Sequence, residues 1–396
     1  MNTIYRGVTI LLASAVTGEK RQVPEGFSLE EALTVIKKQH LTPLVFQGAV
    51  NCGISTKDPV MQKLMQQYIK IMLHSEKQMR AIQQLFDVFE ENGIDHLPLK
   101  GCRMKALYPK PELRTMGDAD ILIRTEQYDR LEKLMTSLGY TMINESEYEY
   151  KWMRDDLMVE LHKCLMAPAN KEFFAYYSDG WARAIKRTDF QYEFSPEDTF
   201  VYQFVHMAKH YRRFGIGSRH ILDLYVYLRA NQDLDEPYIE AELDKLHLRA
   251  FYLNIRRVLN VWFEDGATDA ITEYITEYIF SGGSWGTFEN GLVSDALFRS
   301  REKGEIRNSR RASLIDLVFP ASRSLEIKYP VLKKHAWLLP VIWVIRWFDV
   351  LLFRRRNIRK RMSDAASVTD EKIMARKTAL EYVGLRLDLD AAEEET

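Results

Sequence analysis

Apolar positions along this chain follow two periods, and the switch between them marks out its regions. Asp58-Pro59 reads as an N-cap followed by the proline favoured at the first helical position. Met61, Met65, Tyr68, Met72, Met79, Ile82, Phe86 and Phe89 then recur at spacings of three, four and seven. They form one stripe of a helix running to about Glu91, with Gly93 as its stop and the methionines as core filler. From His96 the apolar runs shorten and turn residues separate them. Strands are predicted at Leu97–Leu99, Asp118–Ile123, near Tyr140–Asn144, near Tyr148–Met153 and at Leu157–His162, with helices at Gly101–Tyr108 and Thr125–Leu138. After Ser195 the helical period returns near Pro196–Phe214, Ser218–Ala230, Glu236–Leu246, Ala250–Phe263 and Thr268–Phe280, with short connections as in a helical bundle.

This order predicts an α+β chain. A small mixed-sheet core over 96–195 is flanked by an N-terminal helical region over 1–95 and by a helical domain over 196–320 that completes a cleft. An amphipathic and basic helical region follows over 321–396. The early run Val8–Val16, with Arg6 before it and Ala13-Ser14-Ala15 inside it, has features of a secretory leader. A lone Arg and the interruptions at Thr9 and Ser14 favour a short helix closed by Gly18 instead.

Composition narrows the function more than the fold. With 55 Lys+Arg against 56 Asp+Glu and a net charge of −1, a surface that grips nucleic acid or anionic lipid as a whole is excluded. Cys52, Cys102 and Cys164 lie far apart with no Cys-x-x-Cys pair, so neither a disulfide framework nor a thiolate zinc site is supported, and a cytoplasmic chain is expected. Trp337–Phe353 is strongly apolar, but Pro340, Arg346 and Asp349 interrupt it and it is short of the roughly 20 residues of a membrane span. Arg354–Arg361 then brings six basic residues and no acid. A helix packed on the bundle with a solvated basic end is the expectation; the alternative is a peripheral membrane contact through 337–361.

The richest chemistry lies around Asp118. Gly117-Asp118-Ala119-Asp120-Ile121-Leu122-Ile123 puts two carboxylates two apart at the start of a strand, so both face the same side. They repel each other, and a bound cation is the natural way to hold them together; oxygen ligands of this kind suit Mg²⁺ or Mn²⁺. Upstream, Leu97-Pro98-Leu99-Lys100-Gly101 reads as a strand ending in a glycine turn that opens a helix, a place to receive a phosphate. Downstream, Glu160 stands between Val159 and Leu161 and points away from the side that buries them, a third carboxylate for the same site.

At these residues the sequence resembles the nucleotidyltransferase superfamily with the DNA polymerase β-like fold, and more narrowly the bacterial "uncharacterised nucleotidyltransferase" family. The shared features are Leu99-Lys100-Gly101, Arg114 ahead of Asp118-Ala119-Asp120, and Glu160-Leu161-His162. The resemblance implies transfer of NMP from a nucleoside triphosphate to an unidentified acceptor (small molecule, protein or RNA) by two ions held by Asp118, Asp120 and Glu160. It implies that Gly101 admits the triphosphate and that Lys100 or Arg114 neutralises it. Where many relatives have Gly or Ser after the turn glycine, this chain has Cys102, which removes a hydroxyl from the phosphate contacts.

His206, Lys209, His210 and Arg213 share one helix face, opposite Val201, Phe204, Val205 and Ala208. His206-x-x-x-His210 lacks the Glu that a zinc protease needs. Arg219, His220, Asp223 and Tyr227 repeat at helical spacing further on. Related nucleotidyltransferases carry a Lys and an Asp on helices after the core, which makes Lys209 and Asp223 nucleotide-binding candidates, an Arg219–Asp223 ion pair being the plainer alternative. His40, His74, His96 and His335 are expected at the surface or in caps. Two other functional classes compete: a non-catalytic interaction protein at a membrane face, and a nucleotidyltransferase-type toxin acting on tRNA, for which the core offers no strong basic stripe apart from the His206 helix.

Overall fold

In the computed structural model, the residues described are 1–303, 319–320, 322–325, 329, 331–353 and 368–385, so Arg354–Arg361 and the acidic Glu393–Glu395 lie outside them. The chain divides into two units, one of Met1–Lys209, Ile216–Ser284 and Val383–Thr396, the other of His210–Gly215 and Trp285–Tyr382.

The first unit opens with α1 (Thr3–Thr17), α2 (Leu29–Lys38), α3 (Thr42–Asn51) and α4 (Pro59–Glu91). The early apolar run is the interior of α1: the Asn2 side chain caps it, Gly18 at φ 78° ends it, and Val8, Leu11 and Leu12 are wholly buried. α3 crosses it closely, since a Cβ on Gly48 would stand 1.9 Å from the Leu11 carbonyl oxygen. α4 is capped as its sequence suggests, Asp58 accepting from the amides of Val60 and Met61. Its buried face is shifted from the expected stripe: Leu64 and Leu85 go inside, and Met65 is 37% exposed. Ser75 and Gln78 are also buried there, because each has a fixed partner, the Lys105 ammonium and the Met116 carbonyl. His96, expected at the surface, is buried against the rings of Phe86 and Phe89.

The sheet follows: β1 (His96–Pro98), α5 (Gly101–Met104), β2 (Asp118–Ile123), α6 (Tyr128–Ser137), β3 (Thr141–Glu145), β4 (Glu149–Arg154) and β5 (Leu157–His162). Its order is β1-β2-β5-β4-β3, with β2 and β5 parallel and the other neighbours antiparallel. This mixed sheet with flanking helices is the α+β class expected. One face is apolar: Ala119, Ile121, Ile123, Trp152, Val159 and Leu161 pack with Ile82, Leu85 and Phe89 of α4 and Leu131 and Met135 of α6. Next come α7 (Lys171–Tyr176), the antiparallel pair β6 (Ala184–Lys186) and β7 (Tyr192–Phe194), and the helices α8 (Pro196–Arg213), α9 (Ser218–Ala230), α10 (Glu236–Lys245), α11 (Arg249–Phe263) and α12 (Ala270–Ser281).

The described part of the second unit holds α13 (Phe288–Lys303), α14 (Ser322–Leu325), α15 (Val331–Lys334), α16 (Leu339–Phe353) and α17 (Asp370–Tyr382). Arg376 of α17 is buried and donates to the Tyr211 carbonyl at 2.6 Å. Leu325, Leu332 and Ile342 form a small core. Other apolar side chains here face outward: Trp337 just before α16 is 73% exposed, and Val341, Val344, Ile345 and Phe348 are about half exposed or more. No helix among the described residues is long and apolar enough to cross a membrane.

Candidate active site

Strand alternation and register build one polar face opposite the apolar one. Asp120 of β2 pairs with Glu160 of β5, Lys151 of β4 lies across from Glu160, and Glu149 lies across from His162. Residues two apart share a face, so Asp118, Asp120, Glu160, His162, Glu149 and Lys151 all belong to this side. Side chains from three strands thus meet where the sequence pointed to two.

Lys100 Nζ stands 2.6 Å from Asp120 Oδ1, and His162 Nε2 stands 2.7 Å from the same oxygen. Lys151 pairs with Glu160 and, at 2.8 Å, with Glu149. Ligand atoms of Asp120, Glu160 and His162 lie within 4.8 Å of one another. Asp118, half-buried on the same strand, is not one of those three and takes no part in these bonds. Electrostatics separate the acids. Burial would raise Asp120, but the Lys100 ammonium and the His162 bond outweigh it and hold the carboxyl well below the usual range. Burial and then the charge of Asp120 raise Asp118. Burial pushes Glu160 up to about 7 against the pull of Lys151. For Lys100 burial opposes the charge, and Asp120 holds it well above the usual lysine value.

The turn before α5 places Lys100. Its backbone has φ 39° and ψ −113°, and the Cys102 amide bonds the Leu99 carbonyl at 3.1 Å. That is the first central position of a type II′ turn, which favours glycine, yet a lysine occupies it and the glycine comes next. The strain is offset by the bond from Nζ to Asp120. Gly101 is needed for space: a Cβ there would sit 2.6 Å from Met116 Sδ and 2.9 Å from Arg114 Nη1. The expected helix Gly101–Tyr108 is one α-turn followed by a 3-10 turn, Lys105–Leu107. Burial pushes the Cys102 thiol far up.

Arg114 and Asp223, both nucleotide-binding candidates, hold each other. Arg114 Nε and Nη2 bond the two oxygens of Asp223 at 2.8 Å each, and the Tyr108 hydroxyl donates to Asp223 Oδ1 at 2.7 Å. The plainer alternative, an Arg219–Asp223 pair, is joined by Arg114: both cations lower the Asp223 carboxyl, Arg114 more strongly, and Arg219 Nη1 also bonds the Thr115 carbonyl. Lys105, wholly buried, donates to the Arg114 carbonyl at 2.7 Å, and burial lowers it to about 8. Lys209 is half-buried near the end of α8. His206 packs beside the rings of Tyr202 and His220, while Arg213, in the second unit, pairs with Asp295.

Residues 25–264 match the family described as uncharacterised nucleotidyltransferase. The chain belongs to that family. The motif residues of the chain, from Leu99 through His162, all fall inside the matched span. Among solved structures, the antibiotic-resistance factor ANT(2'')-Ia is similar over 47% of this chain and 97% of that one, at 14% identity and a TM-score of 0.32. No curated protein matches this chain. Two polar neighbours, Glu149 and Lys151, were missed in sequence, and His162 entered only as part of the shared motif, with no role. A signal existed for His162, which follows Glu160 by two and so shares its face. For Glu149 and Lys151 the needed information was the β4–β5 register, which no local pattern carries.

Proposed function

We propose that the protein passes a nucleotidyl group from a nucleoside triphosphate to an acceptor hydroxyl, by an in-line displacement at the α-phosphorus. The observation that carries this reading is the buried convergence of Asp120, Glu160 and His162 beside Asp118 in a member of a nucleotidyltransferase family. The donor set fits a divalent ion, since three oxygen or nitrogen donors lie within 4.8 Å of one another. Asp118, Asp120 and Glu160 would hold Mg²⁺ or Mn²⁺, whose chemistry in a two-ion site is to stabilise the attacking and leaving oxygens.

The acceptor oxygen bonds the α-phosphorus as the bond to the β-phosphate oxygen breaks, and pyrophosphate leaves. Glu160, on the same sheet face as both aspartates, is placed to help take the hydroxyl proton on a carboxylate oxygen. Lys100 releases Asp120 and turns its ammonium to the phosphates, while Gly101 leaves room for them. Asp223 fixes Arg114 with Nη1 beside the glycine turn, so its role is to position the guanidinium. Lys209 is assigned to the phosphates from the family pattern.

The test supplies nucleoside triphosphates labelled at the α- or γ-phosphate, Mg²⁺ or Mn²⁺, and separate acceptor pools of small molecules, protein and RNA. Label from the α-position should move to one pool with release of pyrophosphate. Movement of the γ-label would make the chemistry a kinase's and overturn the role assignment. Label recovered in tRNA would select the toxin reading.

A separate observation favours a lipid contact in addition. The outward residues Trp337, Val341, Val344, Ile345 and Phe348 recur at helical spacing, and the sequence continues into the basic run Arg354–Arg361. The chain is expected to sediment with vesicles of anionic lipid, less so as salt rises, and not after Trp337→Ser with Phe348→Ser. Equal sedimentation of the doubly substituted chain would remove this reading.

A further inference from the structure

Every acid of the site has a cationic neighbour or a role in the proposed reaction, but the two nitrogens of His162 do not fit a carboxylate site by themselves. The ring is 1% exposed. Nε2 is 2.7 Å from Asp120 Oδ1 and 3.9 Å from Glu160 Oε2, and Nδ1 is 3.5 Å from Glu149 Oε2. Nδ1 is buried without a hydrogen-bond partner among the described residues. A neutral imidazole has one N–H and one lone pair. With the proton on Nε2, the Nδ1 lone pair faces the Glu149 carboxylate. With the proton on Nδ1, the ring points its N–H at Glu149, and the Nε2 lone pair faces Asp120 and Glu160. The second arrangement turns the Nε2 lone pair toward Asp120 and Glu160, where three donor atoms converge and the Lys100 ammonium already sits on Asp120 Oδ1.

Glu149 is itself built in. It is 8% exposed, lies opposite His162 in the β4–β5 register, and is held by Lys151 at 2.8 Å. A carboxylate behind the remote nitrogen of a histidine is how proteins fix the tautomer and aim of a metal-binding ring. The Lys100 ammonium on Asp120 Oδ1 marks the same spot as one that takes positive charge.

We infer that His162 is a metal ligand through Nε2, oriented by Glu149, and that it gives this site a preference for divalent transition ions over Mg²⁺. The inference rests on the metal-dependent reading above and adds to it a nitrogen ligand. Mg²⁺ keeps to oxygen and water, whereas imidazole favours first-row transition ions. His162 would therefore be a specificity-determining residue, and Glu149 a positioning residue.

The experiment uses the full chain and Mn²⁺ alone, with no nucleotide. Loss of the free Mn²⁺ resonance measures binding, competition by Mg²⁺ measures preference, and pulsed electron paramagnetic resonance reads nitrogen coupled to the bound ion. Expected are imidazole nitrogen coupling in the wild type, its loss in His162→Asn, and Mn²⁺ binding weakened about 10- to 100-fold in Glu149→Gln. Mn²⁺ bound with no nitrogen coupling would overturn the inference alone, as an imidazolium bridging Asp120 and Glu149 beside a carboxylate-bound ion would give. Absence of Mn²⁺ binding by the folded wild type, with its circular dichroism intact, would overturn both the inference and the reading beneath it. The wild-type spectrum needs no variant, so a substitution that fails to fold leaves the test decisive.

Discussion

Asp118→Asn is expected to lower nucleotidyl transfer by about 100- to 1,000-fold, the scale seen when one electrostatic stabiliser of a transition state is removed. The same change should leave the urea midpoint at neutral pH unchanged or higher. Asp118 is half-buried, and burial and the charge of Asp120 raise its carboxyl above the ordinary 3.8. The folded chain therefore binds this proton more tightly than the unfolded one does, and stability falls as pH rises from the unfolded value through the folded value. At neutral pH that cost is fully present, and asparagine removes it. Unfolding curves of wild type and variant, taken from pH 4 to 7, should separate progressively in favour of the variant. Retained transfer in Asp118→Asn would sink the assignment, whatever the stability data say.

Arg114→Met should have the opposite profile, a destabilisation of about 3–5 kcal/mol from breaking a buried ion pair. Arg114 is 6% exposed and gives both of its bonds to Asp223, which is 7% exposed. Without the guanidinium, Asp223 keeps the Tyr108 hydroxyl and the Coulombic pull of Arg219 but loses both bonds of its bidentate partner. Burial would raise the Asp223 carboxyl; Arg114 is what holds it low. Replacing both partners, Arg114→Met with Asp223→Leu, should recover most of the loss, because the buried charge then disappears too. Equilibrium urea unfolding of the two single variants and the double variant measures this directly. A single-variant loss below about 1 kcal/mol, the scale of an exposed pair, would mean that the pair does not hold the fold.

Local pattern revealed the strands that carry the acids. Alternation around Asp118-Ala119-Asp120 and Val159-Glu160-Leu161 put the carboxylates on the correct side, and the helix caps at Asp58 and Gly18 were readable because they act over a few residues. What stayed hidden depends on residues far apart. Arg114 and Asp223 are 109 positions apart, and nothing in either helical or strand period pairs them. Ser75 and Gln78 break the apolar stripe of α4 because Lys105 and the Met116 carbonyl reach them from the 3-10 turn and the loop that precede β2. His96 is polar in sequence but serves as an aromatic disc between phenylalanines. At Leu99-Lys100-Gly101 the glycine drew attention to the turn, although the left-handed residue is the lysine before it. In that case the local rule is broken by the residue whose side chain bonds Asp120.

The parallel pairing of β2 with β5 also sets an order of assembly. β3, β4 and β5 are successive antiparallel neighbours, so their pairings close over short loops and can form early, whereas β5 reaches β2 only across the intervening helix and hairpin. A nascent chain exposed only as far as Ile123 has the Asp-x-Asp strand without its neighbour on that edge. Glu160 and His162 reach Asp120 only where β5 docks on β2, so the proposed ion site is complete only in the finished sheet. Divalent ions should consequently leave the early folding phases alone and draw the last docking step forward by mass action on the finished sheet.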